Sequence, residues 1–168
     1  MKKTLNTRYI VTGALIAAIY VVLTFLSNIF GLAFGPIQFR ISEALTILPV
    51  FTPAAIPGLA IGCLISNIFS FNPIDMLFGT AATLVAALLT RKFRNLKCFN
   101  IPIISLLPPI FANALIVGAE IAIFYLDSNA FLSGFLVSAF EVGLSQTAVC
   151  VLLGIPLYLA LKNKRNLF

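Results

Sequence analysis

Arg40 and Glu43 lie three residues apart in the stretch from Gln38 to Thr46, just after a Gly35-Pro36 turn. On a helix this spacing places both side chains on one face. The surrounding chain is almost wholly apolar. An ionisable pair in such a setting is costly unless it is partnered, so it indicates a functional site. Two roles are open: a structural ion pair that neutralises itself, or a pair that contacts a ligand.

Glu120 and Glu141 are the other two carboxylates whose positions predict binding chemistry. Neither has a basic residue nearby in sequence, and a charged side chain at the centre of a membrane helix costs about 2.5–3.5 kcal/mol on insertion scales. Each must therefore be protonated, hydrated, or completed by a cationic or hydrogen-bond-donating ligand. Asp75, in the first turn of a predicted helix, and Asp127, in a turn, are interpreted as structural residues.

Amide and aromatic side chains accompany these carboxylates. Asn113 lies seven residues before Glu120, and therefore on roughly the same helix face. Asn67 and Gln146 add further amides, which serve either a ligand or hydrogen bonding between helices. Two aromatic residues beside the predicted first outer loop are expected near a ligand: Phe34 and Phe39.

Several classes of chemistry are excluded. The sequence has no histidine, which removes His-based acid–base catalysis and His-containing metal sites. No G-x-x-x-x-G-K-[ST] motif is present, so nucleotide hydrolysis by a phosphate loop is not expected. The three cysteines, Cys63, Cys98 and Cys150, lack metal-ligand spacing. We therefore predict a protein that is not an enzyme and has no metal site.

The composition indicates a membrane protein. The chain of 168 residues is 61% hydrophobic and 10% charged, whereas soluble domains carry about 25% charged residues. Apolar runs such as Ala54 to Ile68 lack the alternation typical of a membrane barrel. At roughly 20 residues per helix the length allows about six spans. We predict one all-α transmembrane domain over residues 1–168, with spans near 9–30, 38–51, 58–71, 74–90, 102–126 and 131–161.

The charge distribution predicts the orientation of these spans. With six spans, ten of the eleven basic residues fall on one side, and Arg40 is the exception. Because basic residues concentrate in cytoplasmic loops, both termini are predicted to be cytoplasmic. All five carboxylates and Arg40 then belong to the external half, which predicts a polar cavity open to the outside.

Two overlapping pairs of small residues lie on the first span: Gly13/Ala17 and Ala14/Ala18. Small residues four apart let another helix approach closely. From the spacing alone, that helix belongs either to this chain or to another protein.

Several stretches resemble the QueT family, whose members are the substrate-binding S components of energy-coupling factor (ECF) transporters for queuosine precursors. The matching residues are QFRISEALT (38–46), LP (48–49), FTPAAIPG (51–58), IGCL (61–64), and NALIVG (113–118) followed by Glu120. The resemblance covers nearly the full chain.

The resemblance implies an S-component bundle of six helices in a bacterial plasma membrane, with a pocket near the outer face roofed by the loop between the first two spans. S components dock on a transmembrane coupling protein and two cytoplasmic ATPases. In the family an alanine-rich motif on the first span contributes to docking, and Ala14-x-x-x-Ala18 matches it. Gly13 and Ala17 are assigned to the same docking face. The chain itself is expected to hold no cofactor, because the partner ATPases use the ATP.

The implied substrate is a 7-deazaguanine, such as pre-queuosine base or queuine. Its ring N–H and exocyclic amine suit a bidentate carboxylate, and an aliphatic amine suits a second one. Glu120 and Glu141 are assigned to these groups, with Glu43 held by Arg40. Gln38, Arg40 or Asn113 is expected to donate to the base carbonyl, and Phe34 or Phe39 to stack on the ring.

Three other functions remain open from the sequence. The chain is alternatively a stand-alone secondary transporter coupled to protons through Glu120 or Glu141, or an S component for another vitamin such as folate. A small membrane scaffold without a ligand is the third, although it leaves the one-sided carboxylates unexplained.

Overall fold

The computed structural model describes residues 7–33, 39–69, 73–96, 102–124 and 131–164. Within these ranges all regular structure is helical, which confirms the all-α prediction. The α-helices are α1 (Thr7–Ile29), α2 (Ala55–Ile68), α3 (Pro73–Lys92), α4 (Leu107–Phe124), α5 (Phe131–Val149) and α6 (Ile155–Leu161). A 3-10 helix occupies Ile41–Val50, a short 3-10 turn at Ile103–Leu106 leads into α4, and a π-helical turn at Cys150–Gly154 joins α5 to α6.

In the described part of the chain, four helical stretches are long and apolar enough to cross a membrane: Thr7–Ile29, Pro73–Lys92, Ile103–Phe124 and Phe131–Leu161. Two shorter apolar helices, Ile41–Val50 and Ala55–Ile68, lie between the first and second of them. Each of the six overlaps one span predicted from the sequence. Large apolar side chains remain exposed along the long helices, as expected for surfaces that face lipid.

The 3-10 helix Ile41–Val50 lies at the centre of the bundle. Its residues from Ser42 to Val50 are all buried, so this helix is enclosed on all sides. At about 2.0 Å per residue its ten residues span about 20 Å, against about 15 Å for an α-helix of the same length. Because a 3-10 helix is longer per residue than an α-helix, this short segment extends from the end of the bundle that contains Arg40 to the opposite end.

Helices α1 and α2 pack with almost no side chain between them. A Cβ atom at Gly58 would lie 2.6 Å from the backbone oxygen of Gly13, and one at Gly62 would lie 3.0 Å from the backbone oxygen of Ala17. The Gly13/Ala17 pair is thus used inside the chain. Beside it, Tyr20, Leu45, Leu48 and Leu59 form the main apolar core.

Substitution of Gly118 by alanine is expected to destabilise the contact between α4 and α5. A Cβ there would lie 2.8 Å from the Cα of Ala139, so the backbones must separate, at a cost of about 1–3 kcal/mol. Gly143→Ala is the matched control, because its Cβ would meet only the Ala114 Cβ, at 3.4 Å. Thermal unfolding in detergent should show a lower midpoint for Gly118→Ala alone. Equal midpoints would show that the two helices are not packed this closely.

Candidate substrate-binding site

A polar cavity opens between α3, α4, α5 and the start of the 3-10 helix. Its empty volume, including the space at its mouth, is about 390 Å³. Six polar or charged residues line it, together with Gly79, Val117 and Val142: Arg40, Glu43, Asp75, Asn113, Glu120 and Gln146. Arg40 and three of the five carboxylates that the sequence assigns to the external half are among them.

Glu120 is the least satisfied group in the cavity. Its side chain is 0% exposed, and neither carboxylate oxygen has a hydrogen-bond partner among the described residues. Asp75 and Arg40 line the same cavity. Because buried polar atoms in native proteins are almost always partnered, two bare oxygens on one carboxyl group indicate a place for a donor-bearing ligand.

Glu43 is held from two sides. The Tyr20 hydroxyl of α1 donates a short hydrogen bond to Oε1, and the Gln146 amide of α5 donates to Oε2 at 3.2 Å. These donors are 23 and 103 residues away in sequence. The sequence assigns the support of Glu43 to Arg40 and gives no role to Tyr20.

Arg40 is anchored by other groups. Its Nε donates to the backbone oxygen of Ala33 at 2.9 Å, and its Nη1 donates to Oδ1 of Asn67 at 3.1 Å. The Asn67 amide in turn donates to the backbone oxygen of Asp75 at 3.0 Å. Asn67 is fully buried and lies outside the cavity lining, so it orients Arg40 and the start of α3.

Asp75 is a site residue that sequence reasoning misses. It lies in the first turn of α3, as predicted, and this position also places its half-buried carboxyl group at the cavity. The sequence signal that could have identified Asp75 is that it belongs to the five carboxylates assigned to the external half. Asn113 lines the cavity from α4, and its Nδ2 donates to the backbone oxygen of Pro109 at 3.0 Å.

Two further predicted residues, Glu141 and Phe39, are not at the cavity wall. Glu141 is half-buried on α5 but does not line the cavity, because α5 presents Val142 and Gln146 to it and a helix turns by about 100° per residue. Phe39 is half-buried beside Arg40 and likewise is not in the lining. Phe34 and Gln38 lie outside the described residues.

A sequence model of the QueT transporter family matches residues 10–163. The chain belongs to the QueT transporter family. It is 45% identical over 85 residues to the queuosine precursor transporter QueT of Lactococcus lactis subsp. cremoris (strain MG1363). That alignment covers 51% of this chain and 50% of the relative, so the chain spans about half the length of the curated relative it matches. No solved structure matches it.

Membership of the QueT family confirms two predictions made from the sequence. The protein belongs to a family of transporters rather than enzymes. Together with the four long apolar helices, the family identifies it as a multi-pass protein of the cell membrane.

This QueT family member also has an apolar groove between α1 and α2, on the surface of the helix bundle. The empty volume of the groove is about 940 Å³. Its lining includes all four small residues of α1, together with Tyr9, Ile10, Val21, Pro57, Gly58, Ile61 and Ile65. Gly13 and Ala17 are buried against α2, whereas Ala14 and Ala18 are exposed. The Gly13/Ala17 pair therefore packs against another helix of this chain, whereas the Ala14/Ala18 pair is exposed on the surface of the helix bundle.

Proposed function

We propose that this QueT family member is the substrate-binding S component of an ATP-driven ECF importer. It takes up a queuosine precursor, a 7-deazaguanine such as pre-queuosine base or queuine, from a pocket that faces outward. The observation that carries this proposal is Glu120, a fully buried carboxyl group without a partner at the cavity of a transporter-family protein. The similarity to the queuosine precursor transporter QueT of Lactococcus lactis supports the substrate class.

The cavity chemistry suits a guanine-like base. A deazaguanine offers adjacent N–H donors, which one carboxylate accepts as a bidentate pair. Its carbonyl needs a donor, and Arg40, Asn113 and Gln146 are the donor-bearing side chains among the described residues of the lining. Glu141 and Phe39, with Phe34 and Gln38 from the predicted outer loop, stay predictions as ligand contacts.

The proposed topology has six crossings and cytoplasmic termini. Two contacts place basic segments at one end of the 3-10 helix: the Tyr9 hydroxyl donates to the backbone oxygen of Pro53, and Arg91 Nη1 donates to that of Pro49. Tyr158, near the end of α6, stacks on Phe51 at the same end. Arg40 and the cavity lie at the other end, so the positive-inside rule supports an outward cavity.

The proposed partners are a transmembrane coupling protein and two ATPase subunits, which bind and hydrolyse the ATP. The groove that contains Ala14 and Ala18 is the proposed docking face for the coupling protein. Its apolar lining and small residues suit close packing against another helix within the membrane, where van der Waals contact drives association.

Binding and reconstitution test the proposal. Purified protein is titrated with queuine and with folate, and we expect binding of queuine alone. In liposomes, uptake of labelled queuine should require ATP, the coupling protein and both ATPases. Uptake by the chain alone, driven by a pH gradient, would instead support a proton-coupled secondary transporter. Binding of folate but not queuine would assign the protein to another vitamin.

Ala14→Leu is expected to reduce ATP-dependent uptake by about tenfold or more while leaving queuine affinity unchanged. The larger side chain fills the groove, where close helix contact depends on small residues. Ala81→Leu is the matched control, since Ala81 is an exposed alanine of α3 outside the groove. Equal uptake by the two variants would remove the groove from the docking model.

A further inference from the structure

We propose that Asp75 and Glu120 form an amine subsite, so that the protein selects deazaguanines with a cationic substituent over neutral ones. This inference rests on the proposed function and assigns one part of the ligand to two residues. The subsite lies where the first turn of α3 meets α4.

Among the described residues, the charges of the cavity lining do not balance. Three carboxyl groups, from Glu43, Asp75 and Glu120, face one guanidinium group, that of Arg40. Buried charges in proteins are paired, because an unpaired one carries a large desolvation cost. A cationic ligand would supply the missing positive charge.

Hydrogen bonding identifies the carboxyl groups that are open to this cation. Both oxygens of Glu43 already accept hydrogen bonds, from Tyr20 and from Gln146. Both oxygens of Glu120 are bare, although its side chain is fully buried. Glu120, together with Asp75 beside it, is therefore the acidic pair to which a ligand donor can bind.

The surroundings favour an ammonium group over a metal ion. No cluster of three or more acidic, cysteine or histidine side chains in the described part of the chain could hold a metal. An ammonium group has three N–H donors, and carboxylates only accept. The Nδ2 of Asn113 donates to the backbone oxygen of Pro109, so the Oδ1 of Asn113 is a third acceptor at the same cavity wall.

Asp75 is held in position for this role. Its backbone oxygen accepts a hydrogen bond from Asn67, the residue that also orients Arg40. Gly79, one turn later in α3, lines the cavity but contributes no side chain to it. A Cβ atom at this position would lie 2.8 Å from Nδ2 of Asn67. The glycine thus keeps space for Asn67.

A comparison of two ligands tests the subsite. Equilibrium binding to the purified full chain is measured for 7-aminomethyl-7-deazaguanine, which is cationic, and for 7-cyano-7-deazaguanine, which is neutral. We expect the aminomethyl base to bind at least about tenfold more tightly, as for a hydrogen bond to a charged group. Equal affinities would overturn the amine subsite and leave the proposed function intact. Binding of neither base would also overturn the subsite, and the proposed function fails as well if queuine does not bind either.

Two variants assign the preference to residues. Asp75→Asn and Glu120→Gln should each lower affinity for the aminomethyl base by about tenfold or more, with a smaller change for the cyano base, whose binding shows that the variant is folded. Lys92→Gln is the charge control, because Lys92 is exposed at the far end of α3, about 25 Å from Asp75 along the helix. A preference that persists in both acidic variants would place the amine elsewhere.

Discussion

Arg40→Met is expected to abolish ligand binding and to lower the free energy of unfolding by about 3–5 kcal/mol, the usual cost of removing one partner from a buried charged network. Arg40 is 93% buried, with 7% of its surface exposed. Without the guanidinium group, the backbone oxygen of Ala33 and Oδ1 of Asn67 lose their donors. The cavity would also keep three carboxyl groups and no cation.

A conservative change separates charge from geometry. Arg40→Lys keeps the positive charge, but a single ammonium group on a flexible stem does not reproduce the two fixed N–H directions toward Ala33 and Asn67. We expect a lysine variant that folds better than Arg40→Met and still binds ligand more weakly than the original protein. Thermal unfolding and ligand titration in detergent measure the two effects.

Asn67→Ala tests whether Arg40 works through its anchor. Since Asn67 also donates to the start of α3, its removal should loosen both Arg40 and Asp75. The effects of Arg40→Met and Asn67→Ala should then be less than additive, as expected for residues in one network. Lys162→Met, at an exposed site, is the control for loss of a positive charge. Additive effects, or normal binding by Arg40→Met, would contradict this arrangement.

Much of the architecture follows from composition and charge. In a bilayer the backbone must be satisfied within helices or closed barrels, so long apolar runs without alternation predict helices. The one-sided carboxylates predict the cavity, and Arg40, Glu43, Asn113 and Glu120 do line it. Their burial costs free energy unless they serve a site, which makes ionisable residues informative even in a single sequence.

The sequence does not predict which donor binds each carboxylate oxygen. Tyr20 reaches Glu43 across 23 residues and Gln146 reaches it across 103, and both contacts depend on how helices pack. Glu141 illustrates the same limit, because a position one residue away on a helix faces about 100° elsewhere. The winding of Ile41–Val50 as a 3-10 helix also depends on its enclosure by neighbouring helices rather than on local preference.

Glu43→Ala is expected to destabilise the protein by about 3–5 kcal/mol and to reduce ligand affinity at least about tenfold. Glu43 is 4% exposed, and its removal leaves the Tyr20 hydroxyl and the Gln146 amide buried without their acceptor. It also removes one hydrogen bond between the central 3-10 helix and α1 and one between that helix and α5. The measurements are the unfolding midpoint in detergent and a titration with queuine.

Tyr20→Phe isolates the contribution of one of these bonds. The change removes only the hydroxyl group that donates to Glu43, and a hydrogen bond to a charged group is worth about 1.5–3 kcal/mol. Tyr9→Phe is the matched control on α1, because the Tyr9 hydroxyl makes an exposed 3.5 Å contact with Pro53 and its loss should cost less than about 0.5 kcal/mol. Equal stability of the two variants would mean that Tyr20 does not hold Glu43. A larger loss in Tyr20→Phe, accompanied by weaker ligand binding, would instead show that α1 fixes the carboxylate at the cavity. In that case the helix that carries the proposed docking face also positions a group of the substrate pocket, so that one rigid element connects the two surfaces.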